Sequence, residues 1–135
     1  MKFRRFLIGS CIILAVIGAI CVATYAGLIH GLTRADPFPS FMAGYQLKAR
    51  DTYVQAERAF TEFVGDTFPI GSDAKQAVAL ITSQRFQVVS STPVSFDILW
   101  IRHAGPCGER YLIVIRQGEN GLIVEATGQL EPVCL

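Results

Sequence analysis

The chain has 135 residues, 51% of them apolar and 17% charged, with a formal net charge of +1 and four cysteines. That length bounds it to one ordinary globular domain and excludes a (β/α)₈ barrel or a two-lobed kinase. Near-neutrality removes the basic footprint of a nucleic-acid binder, so nucleic acid is not among the expected partners.

The neutrality is a sum of two unlike parts. Phe6 to Ile29 is a run of 24 residues without a charge, preceded by Lys2, Arg4 and Arg5, whereas residues 31–135 carry nine Lys/Arg against eleven Asp/Glu. As a helix the run would reach ~36 Å, enough to cross a hydrocarbon core of about 30 Å. A cleaved signal peptide competes with this reading, since Thr24-Tyr25-Ala26 before Gly27 is a tolerable cleavage site. Its apolar core usually runs only ~7 to 15 residues, which favours an uncleaved anchor. Only Arg34 follows the run closely, and Asp36 offsets it, so the basic flank places the N-terminus in the cytoplasm and the remainder outside or in the periplasm. The expectation is a single-pass protein of a bacterial inner membrane with the lipid bilayer as one partner. Cys11, Ala15, Ala19, Ala23 and Gly27 recur every fourth residue, a candidate packing face for a partner helix or for self-association. The run is rich in small residues, so the same stripe also arises by chance.

The predicted organisation is a cytoplasmic tip and transmembrane anchor over 1–30, a linker over 31–46 and an exterior domain over 47–135. The linker begins GLTRADPFP, with two prolines and a glycine. Phe41, Tyr45, Ala49, Thr52, Tyr53, Ala56, Phe60 and Phe63 then fall at spacings of three and four, predicting a helix over at least Leu47 to Val64, with Ser40 as its earliest start. Gly65 suits the position after its end and Pro69 forbids continuation. Phe38, Phe41, Met42 and Tyr45 fit either burial against the domain, the favoured reading, or the lipid interface. Ser72 reads as the N-cap of a second helix that buries Ala74, Ala77, Val78 and Ile81 and ends near Gln84. Four strands follow, over 86–89, 96–101, 111–116 and 122–127, the last two joined through Asn120-Gly121, the strongest two-residue hairpin signal. Two helices followed by antiparallel strands predict an α+β layer, helices covering one face of a small sheet. The other face, assigned Leu99, Ile101, Leu112, Val114 and Ile123, is less polar than a solvated face, which suggests that something covers it.

With Asn120-Gly121 as the two turn residues, facing positions sum to 241, and Cys107 falls opposite Cys134. Facing Cβ atoms lie close to disulfide separation, and a bridge suits an oxidising exterior. Metal ligation and a reactive thiol compete. His103 leaves a zinc site one ligand short, and no CxxC is present. No HExxH, GxSxG or GxxxxGK[ST] occurs, and the carboxylates, Glu109 among them, are spaced as solvated charges. His103 reads as a surface residue of a loop over 103–106. No catalytic, cofactor-binding or metal residues are expected.

The segment FPIGSDAKQAVALITSQRFQVV resembles the Gly, helix, Phe and strand opening of small exported bacterial proteins of the BamE/SmpA and β-lactamase-inhibitor-like architecture. The ending CGERYLIVIRQGENGLIVEATGQLEPVCL is similar to proteobacterial envelope proteins with a Cys, two strands joined by a Gly turn and a terminal Cys-Leu. The resemblance spans about residues 66–135. The family pattern has Gly just before the Phe, where this chain has Arg85, and a lipidated cysteine in place of an anchor helix. It implies an α-α-β-β-β-type fold that binds other proteins and carries no catalytic residue across. The expected function is therefore a non-catalytic accessory subunit of a membrane complex, or an envelope-assembly factor, partnered by another membrane or envelope protein or by itself. The alternatives are an inhibitor or ligand-binding module released by signal cleavage, and an enzyme whose pocket would hold His103 and a carboxylate.

Overall fold

Helix α1 (Lys2–Thr33) is a single element of 32 residues and belongs to a unit, residues 1–34, distinct from a second unit over 35–135. The computed structural model describes residues 2–48, 52–105 and 107–134, with side chains at all of these except 2–14, 32, 47 and 48. Of the candidate packing stripe, the Cys11 side chain lies outside the described residues, and Ala15, Ala19, Ala23 and Gly27 are exposed on α1. Among the described residues no helix is long and apolar enough to cross a membrane.

The second unit starts earlier than expected. Most of the 31–46 segment is not a linker: Ala35 forms a bridge with Ala104, Ser40–Met42 make a 3₁₀ turn, and α2 covers Ala43–Lys48. The cause is apolar content. Met42 and Tyr45 are fully buried, and Phe38 and Phe41 pack against the same core, so this stretch lies in the domain and not at a lipid surface.

The single helix expected over Leu47 to Val64 is two helices. Ala49 lies outside the described residues, and α3 (Tyr53–Thr67) begins afresh after Thr52, an extended residue whose hydroxyl accepts from the Gln55 N–H at 3.4 Å. Thr52 and Gln55 have capping-box spacing, a local stop that overrides the continuous apolar period. At the other end Gly65 does not terminate the helix. It lies inside α3, which closes at Phe68, a residue pushed out of helical geometry by the following Pro69. Helix α4 (Ala74–Thr82) is capped by the Asp73 carboxylate, which accepts from Gln76 N–H at 2.8 Å. Ser72, the expected cap, instead donates its hydroxyl to the Pro69 carbonyl.

The sheet is an antiparallel meander of β1 (Gln87–Ser91), β2 (Ser95–Ala104), β3 (Cys107–Gln117) and β4 (Ile123–Cys134) in sequence order. Strands β2 and β3 run on to a tight turn where Gly105 takes φ 72°, which places His103 in β2 and not in a loop. Alternation directs Ile98, Trp100, Tyr111, Ile113, Ile115 and Leu130 into one core with Phe60, Phe63, Val64 and Ile81 of the helices. The fold is thus α+β, as the order of elements predicts.

The β3–β4 connection holds two departures from expectation that offset each other. Gly118 N–H donates to Leu122 O, and only Gly121 takes a positive φ, so the turn has three residues in place of two. Gln117 therefore faces Ile123, and this shift by one residue moves Ile123 from the outer face, where it was expected, into the core. A bulge then follows: Arg116 faces Glu125, leaving Val124 as the extra residue. Beyond it the expected register returns and Cys107 faces Cys134.

Helix α3 lies against β4 at Gly128. A Cβ there would stand 2.8 Å from Phe60 and Val64 side-chain atoms, and Thr61 donates its hydroxyl to Gly128 O at 2.7 Å. Gly128→Val is expected to lower unfolding free energy by about 1 to 3 kcal/mol through overpacking. Gly65→Ala, at a helix-interior site with nothing within 4 Å, is expected to raise it by roughly 0.5 to 1 kcal/mol. Urea titration of the two variants measures both signs.

Candidate functional site

Arg102 and Glu109 face each other across β2 and β3. The Arg102 Nη1 and Glu109 Oε2 atoms are 2.8 Å apart, with the side chains only 15% and 14% exposed. The same carboxylate oxygen accepts from the Tyr111 hydroxyl at 2.8 Å, and Arg102 Nε donates to Asp36 O at 2.7 Å. The guanidinium carbon also stands 4.2 Å from the centre of the Phe38 ring. Asp36 is fixed from two further sides, its N–H donating to His103 O and its carboxylate accepting from His103 N–H. These bonds fasten the segment that enters the domain along the edge of β2. Glu109, expected to be a solvated charge, is instead the acceptor at the centre of the network.

Burial pushes the Tyr45 hydroxyl above the ordinary tyrosine value. It does the same to Tyr111, with Tyr45 and the Glu109 carboxylate adding to the shift. The hydroxyls are therefore held as neutral groups within the fold.

Cys107 and Cys134 form a disulfide, with Cα atoms 4.4 Å apart. A loop of this size contributes roughly 3 to 4 kcal/mol in the chain-entropy model. The described free cysteine is Cys21, which is exposed. Among the described residues no group of three or more His, Cys, Asp or Glu can hold a metal ion, and His103 is exposed on β2.

The outer face of the sheet carries the expected apolar centre, apart from Ile123. Leu99 faces Leu112 across β2 and β3, with Val114 beside them and Ile101 54% exposed. Exposed cross-strand pairs border this centre: Arg110 with Glu131 at 3.4 Å and Arg116 with Glu125 at 3.1 Å. Such rim pairs contribute little stability and chiefly fix charge pattern. Where β1 begins, the face opens into a cleft of about 220 Å³ lined by Arg85, Gln87, Val89, Leu99, Trp100 and Ile101. Arg85 and Gln87 were not singled out as site residues from the sequence.

Comparison of the chain with protein-family models, curated proteins and solved structures finds no match.

The two tyrosines make stability depend on alkaline pH. Their folded-state ionisation lies above the ordinary value of 10.0, so the unfolded chain loses these protons first. Their contribution is complete below pH ~10 and is lost as pH rises beyond it, by at most about 1.4 kcal/mol per pH unit for a tyrosine that keeps its proton in the folded state. Chemical denaturation between pH 9 and 11.5 is expected to show this decline, with a shallower slope in Tyr111→Phe; equal slopes would contradict it.

Proposed function

We propose that the protein is a non-catalytic, single-pass membrane protein whose α1 anchors an exterior α+β domain, and that the domain binds a protein partner through the outer face of its sheet. The observation that carries the reading is the cluster of Leu99, Ile101, Leu112 and Val114 at the middle of that face, bordered by charged pairs. Scattered exposed apolar residues are ordinary on a soluble surface, but a contiguous set with a charged rim is the composition of an interface.

Three observations support the anchor. The 24-residue uncharged run lies wholly within the 32-residue helix α1. The hydroxyl of Thr24 bonds the Ile20 carbonyl at 3.0 Å, so this polar group carries its own partner into an apolar medium. The basic residues precede the run, and the disulfide lies on the side that the charge rule makes exterior, where thiols oxidise. An inner-membrane, envelope-facing placement follows from this reading. The likeness to BamE/SmpA-type domains, proteins that bind other envelope proteins, rests on the segment FPIGSDAKQAVALITSQRFQVV and the ending from Cys107. The partner is accordingly another membrane or envelope protein, or a second copy.

A photo-crosslinking residue at Leu112 or Val114, in intact membranes, is expected to give one discrete adduct, and the same residue at Glu57, exposed on α3, none. Loss of that adduct on introducing Leu99→Glu would place the partner on this face. Diffuse or absent labelling at both sheet positions would contradict the reading.

A further inference from the structure

Main-chain groups of alternate residues in an antiparallel strand point to the same neighbour. On β2, Leu99 faces Gln87 of β1, and His103 exchanges its N–H and C=O with Asp36. Ile101 lies between them on the same edge, beyond the start of β1 and short of the 35–36 segment. By that alternation its N–H and C=O face the gap, and no described group bonds them. Ile101 and Arg85, on either side of the gap, both line the cleft of about 220 Å³. The apolar side chains of Val89, Leu99 and Ile101 line it, Val89 and Ile101 being 57% and 54% exposed.

The one charge on the lining is Arg85. It makes no ion pair or side-chain hydrogen bond among the described residues, and it is the described non-glycine residue with positive φ, at 71°. Glycine adopts that conformation freely, whereas a residue with a Cβ is disfavoured by about 1 kcal/mol. A long cationic side chain thus occupies a backbone position that favours glycine, and the group it brings to the cleft is an unpaired guanidinium, whose fork matches a carboxylate.

We propose that this cleft binds the C-terminal end of an extended polypeptide. The terminal main-chain amide pairs with Ile101, an apolar last side chain rests on Val89, Leu99 and Ile101, and the α-carboxylate meets Arg85. A donor and an acceptor on a strand edge, an apolar wall and a cation are together the complement of a chain terminus. The volume suits one or two residues and falls below that of a typical small-molecule pocket. The proposal rests on the reading of this face as a protein-binding surface and specifies which part of the partner enters it.

Trp100 is the only tryptophan of the chain and lines the cleft, so its fluorescence reports occupancy. The full chain, in an uncharged maltoside detergent, is titrated with N-acetylated Gly-Gly-Val-Leu bearing a free carboxylate, with its C-terminal amide, and with octanoate. The free acid is expected to give a saturable change, with the amide roughly tenfold or more weaker. Arg85→Gln should lose the same factor. Arg85→Gly should also lose binding while melting at an equal or higher temperature, which separates the charge from any folding defect. The proposal is overturned if the acid gives no saturable change up to about 1 mM, if the amide binds equally well, or if octanoate binds as tightly as the peptide. Failure here with the Leu112 adduct intact removes only the cleft; absence of the adduct in the otherwise unaltered chain removes the docking face itself.

Discussion

Every layer of the domain converges on Tyr111. Its ring stands 5.9 Å from Phe38 of the entering segment, 5.9 Å from Tyr45 of α2, 5.1 Å from Phe60 of α3 and 5.3 Å from Trp100 of β2. Each such pair contributes about 0.5 to 1.5 kcal/mol beyond area burial, and the four are coupled through one ring. The hydroxyl of that ring bonds Glu109, which neutralises Arg102, which in turn holds Asp36 O. A central strand residue therefore fixes both the packing of the helices and the path by which the chain enters the domain. The half-buried charges of Arg102 and Glu109 are paired and hydrogen-bonded; removing Glu109 alone would leave Arg102 uncompensated.

The disulfide complements this arrangement from the opposite direction. The aromatic cluster fastens the inner face of β2 and β3, while Cys107–Cys134 closes the far ends of β3 and β4. The hairpin at 118–122 closes the near ends, pinned to the start of α4 by Ala74 N–H donating to Gly121 O and by Ile123 N–H donating to Ser72 O. With both ends tied and one face filled, the sheet presents its other face as a rigid platform. A face held this way loses little conformational freedom on binding, which favours recognition by preformed shape.

The class of fold and the Cys107–Cys134 pairing were legible from period and turn chemistry, because alternation over β2 and β3 is long and regular. What was not legible depended on tertiary context. The break at Thr52 was carried by a capping signal that the apolar period masks, and Gly65 tolerates a helix because Phe68 and Pro69 end it instead. Ile123 was assigned to the wrong face because the Asn120-Gly121 hairpin takes a three-residue turn, while the compensating bulge at Val124 left the cysteine register unharmed. Residues 35–46 read as a linker through their prolines, although Met42 and Tyr45 are core. The network of Asp36, Arg102 and Glu109 required knowing that residues 66 and seven positions apart meet, and the Arg85 cleft required seeing where β1 begins.

Among the described residues of the domain, one face of the sheet is filled by aromatic rings under the helices and the other carries a bordered apolar centre. We propose that a protein partner covers the second surface in the membrane. Hydroxyl-radical footprinting of the chain in native membranes and after detergent purification tests this directly, by comparing oxidation at Leu99, Ile101, Leu112 and Val114 with that at Val54 and Ile70, which are 69% and 77% exposed elsewhere on the domain. The expected result is protection of the four sheet residues in membranes that is lost on purification, with Val54 and Ile70 unchanged. Equal oxidation of the sheet face in both preparations would contradict it.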